Sequence, residues 1–84
     1  MALTPEATRA GRALLGWSMR DLAQRAGISL GAVNRLESGE VASRGATAAK
    51  IVAAFEAEGV QLVSDAERTG ALLIFARRGA TSGE

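Results

Sequence analysis

Apolar residues come in short bursts along the chain, and each burst is bounded by residues that start or stop a helix. The first burst follows Thr4-Pro5-Glu6. Threonine caps a helix N-terminus, proline suits the first helical position, and an acid suits the positive end of the helix dipole. A helix is expected from there to Leu15, with Ala10 and Leu14 four apart on one face and Gly16 as the stop. Ser18 caps a second helix, with Asp21 in the place where a capping box puts an acid or amide. Trp17 and Leu22 flank that start like a hydrophobic staple, and the helix stops at Gly27. Ser29 then caps a third helix, with Ile28 and Val33 repeating the staple and Gly39 ending it. Two stapled helices joined only by Gly27-Ile28-Ser29 must cross steeply, as in a helix-turn-helix.

Beyond a polar loop at Ser38–Gly45, the spacing of Ile51 and Phe55 predicts a fourth helix from Ala46 to Glu58, stopped by Gly59. Val60–Ser64 alternates apolar and polar, as a half-buried strand does. Asp65–Gly70 reads as a turn. Ala71–Ala76 (ALLIFA) is a continuous apolar run that suits a strand buried on both faces. The fold expected is mainly α, with four helices followed by a short C-terminal β-hairpin. Residues 1–59 form the helical domain, 60–78 the hairpin and 79–84 a disordered tail.

Composition narrows the chemistry. Hydrophobic residues make up 48% and aromatics 4%, so the core is expected to be aliphatic and rich in alanine. There is no cysteine and no histidine, which removes disulfides, thiolate chemistry and ordinary zinc sites. No phosphate-binding glycine loop and no acid pair in a catalytic setting is visible, so no enzyme activity and no cofactor are expected. Met1–Thr4 leads directly into a helix start and no apolar run is long enough to span a bilayer, so a cytoplasmic protein with no membrane partner is expected. Net charge is only +1, but it is uneven. Residues 1–45 carry six arginines against four acids, while residues 46–84 carry four bases against five acids. The first half is therefore the half suited to meet phosphate.

The stretch Met19–Ser38 resembles the helix-turn-helix of the Xre family, the phage-repressor-like regulators. Leu22-Ala23, Ala26-Gly27-Ile28-Ser29, Val33, Leu36-Glu37 and Gly39 carry the resemblance, which extends over Thr4–Gly59. The segment FEAEGVQLV is similar to the end of small members that finish in a hairpin. The resemblance implies a homodimer on double-stranded operator DNA, with the third helix in the major groove and the second helix's N-terminus over a phosphate. It also implies that Glu37 pairs with Arg12, tying the third helix to the first. The sequence departs from the family at Met19, where relatives often have Gln, and at Glu40, where relatives often carry a base.

At about 100° per residue, Ser29, Val33 and Leu36 share one side of the third helix, with Ala32 and Glu37 at its margins. Leu30, Gly31, Asn34, Arg35 and Ser38 take the other. On that side Asn34 can bridge adenine N6 and N7, Arg35 can grip guanine O6 and N7, and Leu30 can touch a thymine methyl. Gly31 allows close backbone approach. The plainer alternatives are a solvated face for Asn34 and Arg35, and a core position in the turn for Leu30. Ser18, Met19 and Arg20 at the second helix's N-terminus, together with Ser38 and Arg44, are the candidate phosphate contacts. Each arginine has the alternative of an ordinary exposed charge.

The hairpin's apolar residues, Val60, Leu62, Leu72, Leu73, Ile74 and Phe75, are expected to form a homodimer interface, as a shared sheet. The alternative is a strand packed only on the chain's own helices. Two functions are carried forward. One is a sequence-specific DNA-binding transcription regulator, associated with the nucleoid through DNA. The other is an antitoxin-like interaction module in which the hairpin binds a cognate protein partner and DNA binding is secondary.

Overall fold

A computed structural model of the chain describes residues 3–40, 45–64 and 67–73. Four helices are followed by a two-stranded antiparallel hairpin: α1 Pro5–Leu15, α2 Met19–Ala26, α3 Leu30–Glu37, α4 Gly45–Glu56, β1 Val60–Ser64 and β2 Thr69–Leu73. None of these helices is long and apolar enough to cross a membrane.

The helix starts follow their caps. Thr4 accepts a hydrogen bond from the Ala7 N–H, and Ser29 accepts one from the Ala32 N–H. Ser18 and Asp21 form a reciprocal capping box: the Ser18 hydroxyl accepts from the Asp21 N–H at 3.0 Å, and the Asp21 carboxylate accepts from the Ser18 N–H at 2.9 Å. At the corner after α2, Gly27 takes φ +70, the left-handed region that an L side chain resists. That conformation lets the Gly27 N–H reach the Gln24 carbonyl and the Ile28 N–H reach the Ala23 carbonyl, closing the helix before it turns into α3. Gly39 does the same for α3 at φ +81, with the Gly39 N–H on Leu36 O and the Glu40 N–H on Arg35 O.

Leu22, Val33, Leu36, Ile51, Phe55 and Val60 are the largest fully buried apolar side chains. The core is aliphatic and alanine-rich as composition implies, but an aromatic lies at its centre. Phe55 stacks on Trp17 with ring centroids 5.6 Å apart. The buried face of α1 is Ala7, Thr8 and Gly11, and Leu14 is exposed. A side chain on Gly11 would meet Phe55 Cζ at 2.9 Å, so the glycine is what lets that ring lie against the helix.

Three boundaries differ from expectation. Helix α4 ends at Glu56 rather than Glu58, because the Glu58 and Gly59 N–H groups bond three residues back, to Phe55 O and Glu56 O, and tighten the last turn. It starts at Gly45, one residue early. Strand β2 begins at Thr69 rather than Ala71, since Thr69 pairs with Ser64 and Gly70 with Val63. The Thr69 hydroxyl also lies 2.6 Å from that of Thr4, which fastens the strand's start to the cap of α1.

The hairpin packs on α1 and, through β1, on α4. Val60 and Leu62 are thereby buried in the protomer's own core, alongside Phe55 and Ile51. The same two residues are expected at a dimer interface; in this structure their side chains are covered within the chain, where the hairpin packs on α1 and α4. Leu72 faces outward and is 54% exposed. In the backbone register Leu73 pairs with Val60. Ile74, Phe75 and residues 79–84 lie outside the described residues.

Candidate nucleic-acid interface

Helix α3 is only eight residues long, and its two sides are fully differentiated. Val33 and Leu36 point into the core and Glu37 is buried with them. Leu30, Gly31, Asn34, Arg35 and Ser38 are exposed on the other side. Leu30, at 39% exposure, is therefore on the outward face and not in the core of the turn.

Helix α1 holds α3 with two arginines. Arg12 grips the Glu37 carboxylate in a two-pronged geometry: Nε donates to Oε2 and Nη2 to Oε1, both at 2.7 Å. Its third nitrogen, Nη1, donates to the Trp17 carbonyl at 3.0 Å, just before α2. One guanidinium thus ties together α1, the end of α3 and the approach to α2. The Glu37 hydrogen bonds raise the Arg12 pKa above its ordinary value, its burial works the other way, and the Glu37 charge adds to the rise. Arg9, one turn earlier, donates from Nη1 to the Glu37 backbone carbonyl at 2.6 Å. That satisfies a carbonyl in the last turn of α3 and places a cation at the negative end of its dipole. Sequence reasoning missed Arg9. The available signal was its position three residues before Arg12, on the same side of α1.

On the outward face, Asn34 and Arg35 are adjacent and exposed. Arg35 leans back along its own helix: its Nη1 would lie 3.4 Å from a Cβ at Gly31. An amide and a guanidinium side by side on one helix suit the donor and acceptor edges of base pairs.

The candidate phosphate contacts separate into three groups. At the N-terminus of α2, Ser18 and Asp21 occupy one another, while the backbone N–H groups of Met19 and Arg20 lie in the first turn, before the ladder of helical hydrogen bonds begins. The Met19 side chain packs partly against the core, and Arg20 is exposed. Asp21 has its pKa lowered, first by the Ser18 backbone N–H, then by the Ser18 hydroxyl and the charge of Arg25. A carboxylate at this helix start competes with any incoming anion. Ser38 is engaged internally, with its hydroxyl donating to Arg35 O at 3.0 Å and lying 3.3 Å from Glu40 Oε2. A phosphate contact from that hydroxyl requires it to leave these partners. Arg44 lies outside the described residues.

Arg25 is placed away from α3: its guanidinium sits over Trp17, 5.1 Å from the ring centroid, and 3.4 Å from Glu58. Among the described residues no group of acids is arranged to hold a metal ion.

Comparison with known proteins agrees with this geometry. No match was found among curated proteins. A family model described as helix-turn-helix matches residues 9–60, from the middle of α1 to the first residue of β1. That span is well over half of the chain, and it contains both arginine hooks, the corner glycine and the exposed face of α3. The chain belongs to the Xre-like helix-turn-helix family of DNA-binding regulators.

Proposed function

We propose that this chain is a sequence-specific transcription regulator that binds operator DNA as a homodimer, with α3 in the major groove. The observation that carries the reading is the pairing of a held helix with an exposed polar face. Arg9 and Arg12 fix the C-terminal end of α3, so Asn34 and Arg35 are presented in a fixed frame. Fixing the frame matters because a reading helix held in place before contact loses less conformational freedom on binding. The backbone N–H groups of Met19 and Arg20 at the start of α2 face a phosphate in this docking mode, and phosphate contacts set register.

A homodimer follows from the small size of the reading face. Two adjacent polar readers on an eight-residue helix specify few base pairs, and a two-fold pair of chains doubles the site. Among the described residues of the hairpin, Leu72 is an exposed apolar side chain that such a pair can use. Selection from random duplex DNA tests the reading. A pseudo-palindromic winner with half-sites about one helical turn apart, bound with a steep salt dependence, supports it. Equal weak binding to every duplex contradicts it. Sedimentation of the full chain and of Leu72→Glu tests the dimer: a wild-type dimer that the substitution splits is expected, and a wild-type monomer contradicts it. The exposed Leu72 also supports a second reading, in which the hairpin docks an unrelated protein as in an antitoxin. A chain that stays monomeric and binds every duplex equally weakly favours that one.

A further inference from the structure

Gly31 is an odd residue for a helix meant to read bases. It sits in the first turn of α3, where the helix-turn-helix docking mode makes its base contacts, and it offers no side chain. Arg35 has the opposite problem: it has the richest donor set on α3 but lies in the last turn. Side chains on a helix lean toward its N-terminus, so residue 35 naturally covers the surface above residue 31. Its Nη1 lies 3.4 Å from where a Gly31 Cβ would stand, and the Ser29 hydroxyl is 3.9 Å from that same point. Among the described residues, apart from its two chain neighbours and the helix's own backbone, nothing else lies within 4 Å.

We propose that Gly31 is a specificity-determining position because it is the seat for Arg35. The missing side chain lets the Arg35 guanidinium lie at the base-contacting end of α3. That displacement is about one helical turn, roughly 5.4 Å, against a base-pair rise of about 3.4 Å. The choice of residue at position 31 thus decides which base pair Arg35 meets, with guanine O6 and N7 as the ligand. The proposal rests on the DNA-reading function stated above.

The test uses the full chain and the duplex it selects from a random pool, with every single-base-pair substitution of that duplex. Arg35→Ala identifies the base pair that Arg35 reads, by loss of discrimination there of about 5- to 160-fold. Gly31→Leu fills the seat on an exposed helix surface. It is expected to lose a comparable factor at that same base pair, to leave the Asn34-dependent pair unchanged, and to cause no further loss when Arg35→Ala is already present. Gly31→Ala is expected to lose less. The proposal is overturned if Gly31→Leu keeps discrimination at the Arg35-dependent pair. It is also overturned if Gly31→Leu costs the same with and without Arg35, since the glycine would then serve only close backbone approach. A wild-type chain that selects no duplex overturns the DNA-reading function and the seat with it. A wild-type chain that selects a duplex while Gly31→Leu behaves as wild type overturns the seat alone.

Discussion

Removing one partner of the Arg12–Glu37 pair should cost far more than removing an ordinary surface ion pair. The side chains are 19% and 6% exposed, and the contact is two-pronged at 2.7 Å. Exposed pairs contribute about 0–1 kcal/mol, whereas stranding one charge of a shielded pair costs about 3–5 kcal/mol. Arg12→Met leaves the Glu37 carboxylate stranded with almost no solvent access, and it also removes the hydrogen bond to Trp17 O. A loss of about 3–4 kcal/mol is expected. Glu37→Gln keeps the shape and leaves Arg12 able to turn toward water, so a loss of about 2 kcal/mol is expected. The double variant strands no charge and should cost less than Arg12→Met alone, about 2.5 kcal/mol, giving a coupling of about 3 kcal/mol. Urea unfolding followed by far-UV circular dichroism measures each corner of the cycle. Thermal midpoints should fall by about 4–8 °C per kcal/mol for a chain of this size. Additive single losses, or an Arg12→Met loss below about 1 kcal/mol, would show that the pair behaves as a surface contact and that α3 is not held through it.

Other outcomes follow from the same geometry. Gly11→Ala should destabilise the chain by up to about 2 kcal/mol: helix propensity favours it by about 1 kcal/mol, but overpacking a closed site costs about 1–3 kcal/mol, and the new Cβ meets the fully buried Phe55 ring at 2.9 Å, which puts the cost toward the upper end. Urea unfolding checks the sign, which opposes what propensity alone gives. Asp21 has a lowered folded-state pKa, so its cap contributes stability above its unfolded value and loses it as pH falls through the lower folded one. Unfolding followed downward from the ordinary carboxylate range should show wild type losing stability over that window, with Asp21→Asn losing less. Glu40→Gln removes an acid at the C-terminal end of α3 and should strengthen binding to all duplexes alike, by about 0.5 kcal/mol for a phosphate some 8 Å away, with the gain fading at high salt.

Much of the local structure was legible in the chain because it is written in neighbouring residues. Thr4-Pro5, the Ser18–Asp21 box, Ser29 and the glycines at 16, 27 and 39 act within a turn of themselves, and the helices they bound lie where their spacing puts them. The Arg12–Glu37 contact joins residues 25 positions apart, and only the family resemblance pointed to it. What escaped depends on packing between elements. Ala10 and Leu14 share an apolar face on the wheel, yet Gly11 is the buried neighbour because it alone admits Phe55. Arg9 looks like any exposed cation until the last carbonyl of α3 arrives beside it. Val60 and Leu62 read as a sticky hairpin face, since alternation shows that one side is covered but not by what. The reading face was identified from the wheel; helix geometry puts Arg35 one turn above Gly31, but the rotamer that brings its Nη1 to that seat is not encoded by periodicity.

The reading role of α3 is tested most directly by measuring Asn34→Ala and Arg35→Ala against the selected duplex and each of its single-base-pair substitutions, at fixed salt. Each variant should lose about 1–3 kcal/mol of discrimination at its own base pair and little elsewhere. A uniform drop across all duplexes, with discrimination intact, would place the specificity outside Asn34 and Arg35 and contradict the assignment.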